Sequence, residues 1–136
     1  MNMKDRDISL VIGHFKDANI TGITLDVMRQ IIDRGLSSEL VANLISIQLS
    51  PNRVQAIYKV MESLEKLADT DRSVACILMS DLWGFASDER MHDTCDAIDL
   101  WLSNAHSVEL RLHLKELASS ESDPNKRRHF NDLAGN

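Results

Sequence analysis

Between Arg72 and Ala86 the chain is apolar on almost every side. Val74, Ala75, Cys76, Ile77, Leu78, Met79, Leu82, Trp83 and Phe85 leave only a narrow polar strip at Ser73 and Ser80. A helix that is hydrophobic all round has to be buried all round. Whatever this chain folds into must therefore wrap other elements about that segment. Asp81 falls inside it, and a buried carboxylate is expected to be partnered by a neighbour.

The rest of the sequence supplies those elements as helices. Thr24 precedes the stripe Leu25, Met28, Ile31 and Ile32, and Gly35 follows it: an N-cap, an apolar face and a stop. Ser37 or Ser38 can cap a segment carrying Leu40, Val41, Leu44, Ile45 and Leu49. Ser50-Pro51 reads as a cap followed by proline at the first helical position, with Val54, Ile57, Tyr58, Met61, Leu64 and Ala68 as its stripe. Asp71, Ser87, Ser107 and Asp123-Pro124 open further helices, and Gly135 can close the last. With a first helix near Asp7 to Lys16, the count is about eight. Val108, Leu110, Leu112 and Leu114 alternate as a strand would, but the Glu, Arg and Lys residues among them and the lack of turn signals favour helix. The expectation is an all-α fold, one domain over residues 1–136, a length that suits a single core.

Helix starts recur in the C-terminal two thirds. Pro51, Asp88 and Pro124 are spaced by 37 and 36 residues, and Asp71 and Ser107 by 36. Val54, Tyr58 and Met61 map onto Met91, Cys95 and Ile98 under that period. Stacked helical hairpins have such a period, although two average helices with their loops also add up to about this length. On this period and capping, Pro51 to Leu133 resembles the HEAT-like class of short α-helical repeat proteins. The resemblance implies stacked antiparallel hairpins.

Few chemistries are signalled. No glycine-rich phosphate loop, G-x-S-x-G, H-E-x-x-H or C-x-x-C occurs. Asp99, Ser103 and His106 can be picked out as acid, hydroxyl and base, without the context of a nucleophile. Asp88, His92, Asp96 and Asp99 fall at i, i+4, i+8 and i+11, and His92 and Cys95 at i, i+3. Such spacing on one helix can hold a divalent ion if a second helix adds ligands. A solvated acidic face accounts for it more simply, so no metal and no cofactor are assigned. Cys76 and Cys95 sit in apolar patterns and suggest a reducing, cytoplasmic setting rather than a disulfide framework. Lys4 and Arg6 precede the apolar stretch Ile8 to Phe15, which has no small-residue cleavage site and makes a poor signal peptide. No apolar run approaches the roughly 18 residues of a membrane span.

Charge is the most informative property. The net charge is -6, which disfavours nucleic acid and anionic membrane as partners. The one basic cluster, Lys126, Arg127 and Arg128, stands at the start of a helix, where the dipole opposes it. Ten acids against three bases lie between Glu62 and Asp99, and the remainder is near balance. On a wheel for the helix after Ser87, Met91, Thr94, Cys95, Ala97, Ile98, Trp101 and Leu102 form an apolar arc. Asp88, Glu89, His92, Asp93, Asp96 and Asp99 form the opposite one, with Leu100 among the carboxylates. A solvated face that keeps the protein soluble is one reading. The sharper one is a docking face for a basic protein, with acids to steer and Leu100 to anchor.

In size, charge and helix content the chain is similar to the helical immunity proteins of bacterial contact-dependent toxin systems. That resemblance implies a non-enzymatic inhibitor that occludes the basic cleft of a nuclease-like toxin domain. No motif carries it, so no residue role is transferred. A helical adaptor or secretion chaperone and a small metal-binding bundle are the alternatives. Homo-oligomerisation is compatible with all three.

Overall fold

The computed structural model describes residues 3–16, 22–48, 52–105 and 107–135. Eight helices account for nearly all of them: α1 (Met3–Lys16), α2 (Gly22–Asp33), α3 (Ser37–Ser46), α4 (Arg53–Leu67), α5 (Arg72–Asp88), α6 (His92–Ser103), α7 (Val108–Ser120) and α8 (Pro124–Leu133). No strand occurs among the described residues, and Val108 to Leu114 is helical as expected.

The apolar segment forms the centre. In α5 every residue from Val74 to Trp83 is buried, and the helix packs against α2, α3, α4, α6 and α7. One continuous cluster of buried side chains runs from Ile8 to Ala134. Asp71 caps α5, its carboxylate accepting from the Val74 amide at 3.1 Å. The serine and aspartate caps of α7 and α8 act likewise: Ser107 accepts from Leu110 N at 3.1 Å and Asp123 from Asn125 N at 2.9 Å. Pro124 occupies the first turn of α8, and Gly135, at φ 86°, ends it.

The odd-numbered helices make one row, in which α1 touches α3, α3 touches α5 and α5 touches α7. Of these, α3, α5 and α7 begin at residues 37, 72 and 108, intervals of 35 and 36. The even-numbered helices begin at 22, 53, 92 and 124 and keep no common interval. The regularity belongs to the helices about α5. The Asp71–Ser107 spacing is part of it; the spacing expected from Pro51, Asp88 and Pro124 is not.

α1 is already helical at Met3 rather than from near Asp7, and three further starts differ from expectation. Ser87 opens no helix. It lies inside α5, which runs on to Asp88, and α6 begins at His92 behind Met91, which provides no side-chain cap. The turn between them is a Schellman motif, with Met91 N bonded to Ala86 O at 3.0 Å and Arg90 N to Ser87 O at 3.0 Å. Arg90 takes the left-handed position at φ 57°. Gly35 holds the same position after α2, at φ 75°. Thr24 is not a cap either. It is buried within α2, and its hydroxyl pairs with His14 Nδ1. α3 starts behind Leu36, with Ser37 buried as its first residue and no side-chain cap. Ser50 and Pro51 lie outside the described residues; α4 is capped by Asn52, which accepts from Gln55 N at 2.8 Å. Its core stripe is Ala56, Ile57, Val60, Met61, Leu64 and Leu67, while Val54 and Tyr58 are exposed.

Candidate protein-binding face

The α5–α6 boundary divides the expected acidic arc. Asp88 is the last residue of α5 and Glu89 stands in the turn, so neither shares a helix with Asp93, Asp96 and Asp99. Three of the carboxylates are also engaged inside the fold. Asp88 pairs with Lys126 of α8. Glu89 takes Arg53 Nε of α4 at 3.1 Å. Asp99 takes His129 Nε2 of α8 at 2.8 Å, and that imidazole stacks on Trp83 with ring centres 4.1 Å apart. These acids tie α4 and α8 to the α5–α6 hairpin. They are worth little each at the surface, and the shared apolar core sets where the neighbouring helices lie.

What remains on α6 is a smaller face. His92, Asp93, Asp96, Ala97 and Leu100 are exposed, and they fall within about 140° of the helix circumference. Ala97 belongs to this face rather than to the buried arc, whose members are Thr94, Cys95, Ile98 and Leu102. Leu100 is 69% exposed and sits near the middle of the arc, between Asp96 and Asp93. Among the described residues no cation pairs with Asp93 or Asp96. Asp93 lies in the first turn of α6, where the helix dipole favours a negative charge. The face can therefore offer carboxylates and an apolar anchor without first breaking internal ion pairs.

The other expected groupings do not converge. Cys95 is buried, with Sγ 3.9 Å from the Trp83 carbonyl. Burial, and then Asp99 and Asp96, push its thiol up to about 11, so it stays protonated and is no partner for His92. No three His, Cys, Asp or Glu side chains among the described residues are grouped to hold a metal ion. Ser103 donates to its own helix, to the Asp99 carbonyl at 2.7 Å, and His106 lies outside the described residues. The basic cluster is partly answered within the fold. The hydrogen bond to Asp88 raises the Lys126 pKa, and Arg127 donates to the Glu121 carbonyl at 3.0 and 3.1 Å.

Sequence reasoning foresaw a partner for Asp81 but not which. His113 of α7 places Nε2 3.3 and 3.4 Å from the two carboxylate oxygens. His113 also borders an open cleft of about 720 Å³ between α2, α5 and α7, with Arg29, Asp33, Glu109 and Glu116 on its walls. A carboxylate–imidazole pair can orient a base for a nucleophile, yet no Ser, Thr or Cys lines this cleft. The two residues are 32 positions apart, and nothing local in the sequence joins them. No helix of the described residues is long and apolar enough to cross a membrane. No protein-family model matches the chain, and no curated protein or solved structure matches it at a significant level.

Proposed function

We propose that this chain is a non-enzymatic protein-binding inhibitor whose α6 face covers a basic surface on its partner, in the manner of an immunity protein occluding the cleft of a nuclease-like toxin domain. One observation carries the reading: Leu100 is 69% exposed between two aspartates that no cation of the described fold neutralises. Exposed carboxylates accelerate encounter with a positive partner, and a central apolar side chain supplies the buried contact that slows release. Asp88, Glu89 and Asp99 are paired with α4 and α8 and contribute less directly to binding.

The test is capture from the native host at low and high salt, using the wild type beside D93K/D96K and L100E. One stoichiometric basic protein, retained by the wild type and identified by mass spectrometry, is then titrated by calorimetry. Burying Leu100 is worth about 1.5–3 kcal/mol, so L100E should weaken binding by roughly ten- to a hundredfold. D93K/D96K should slow association and flatten its salt dependence. A partner that binds both variants as tightly as the wild type refutes the assignment. Rescue of cells expressing the partner, lost in L100E, would establish inhibition over simple scaffolding.

A further inference from the structure

The face of α7 turned away from the core is not polar. Leu110, Leu114 and Ala118 are buried on the side where α7 packs against α5 and α8. Val108 and Leu112, one turn apart, point the opposite way and are 72% and 57% exposed. Arg111 flanks them on one edge, Glu109 and Glu116 on the other, all exposed.

That arrangement has a definite complement. In a seven-residue register, Val108 and Leu112 take the two core positions, Arg111 the g position and Glu116 the e position. A two-fold axis parallel to α7 sets the basic edge of one helix against the acidic edge of its mate. Arg111 of one chain then meets Glu116 of the other, the five-residue offset of parallel paired helices. An axis across the helices would oppose basic edge to basic edge. We propose that the outer face of α7 is a contact between two copies of this chain, packed as parallel helices with Val108 and Leu112 at the centre and reciprocal Arg111–Glu116 pairs at the rim. Lys115 falls at the next core position and confines the seam to about two turns. The contact is thus smaller than the roughly 1,200 Å² of a standard interface, and the dimer is weak and concentration-dependent. It uses a different helix from the Leu100 face and does not depend on it.

Sedimentation velocity of the full chain over a wide concentration range at low salt tests this, with far-UV circular dichroism confirming that each variant is folded. The wild type should associate reversibly to a dimer, and L112D should abolish it. R111E and E116R should each weaken association roughly tenfold, because each replaces two attractive pairs with repulsive ones. R111E/E116R should restore it, since the exchange keeps every pair complementary. A wild type that stays monomeric at the highest concentration overturns the proposal. So does a dimer indifferent to L112D, or one that the double exchange fails to restore.

Discussion

Replacing His113 with alanine tests the least compensated charge in the core. Asp81 sits in the central helix with its side chain 1% exposed, and His113 is 11% exposed. Among the described residues no other side chain bonds to that carboxylate. Removing one member of a buried pair costs about 3–5 kcal/mol, because the remaining charge is stranded. One feature moves the value down: the contacts, at 3.3 and 3.4 Å, are long for charge-assisted bonds. We expect H113A to lose about 3 kcal/mol, a fall of roughly 10 °C in Tm for a domain of this size. D81L should be near neutral or stabilising, because it removes the charge and fills the site. D81L/H113A should then be more stable than H113A alone. Urea unfolding at neutral pH, followed by circular dichroism and tryptophan fluorescence, measures all three. A loss below about 1 kcal/mol in H113A, or a double variant no better than H113A, would refute the claim that His113 is what makes the buried carboxylate tolerable.

Arg90 occupies a left-handed backbone position, so R90G should raise stability by about 0.5–1 kcal/mol; a loss in urea unfolding would contradict the turn geometry. Asp71 both caps α5 and pairs with Arg29, and D71A should cost about 1–2 kcal/mol. Cys95, raised from the usual 9.0 to about 11, should resist alkylation at pH 8.5 in the folded protein and react readily in urea. The unfolded thiol loses its proton first as pH rises. The Cys95 contribution to stability is therefore whole below pH 9 and is lost between about 9 and 11, an increment of slope that C95A should lack.

Much of the fold could be read from local signals because the devices at the helix ends are themselves local. Asp71, Ser107 and Asp123-Pro124 are caps that act within three residues, and Gly35 and Gly135 are stops that act through one left-handed residue. The boundary between α5 and α6 failed for the same reason. Its left-handed residue is Arg90, which carries no glycine signal, while Ser87 imitates a cap four residues too early. That slip placed Asp88 and Glu89 on the wrong helix and enlarged the acidic arc. Thr24 failed differently, since a cap-forming residue was recruited by a distant histidine. The site was legible only in outline. Leu100 among carboxylates is a periodicity statement and it held, whereas Ala97 was assigned to the buried arc and lies outside. Whether an acid is spoken for depends on pairs 30 to 38 residues apart, Asp99–His129, Asp81–His113 and Asp88–Lys126. Those pairings exist only once α7 and α8 have packed against α5 and α6.

Amide chemical shifts show whether the outer face of α6 covers a basic partner. The labelled protein is titrated with the partner captured from the host. Perturbations should centre on His92, Asp93, Asp96, Ala97 and Leu100 and shrink in L100E. Perturbations confined to α7 or to Pro124–Arg128, with α6 silent, would contradict it.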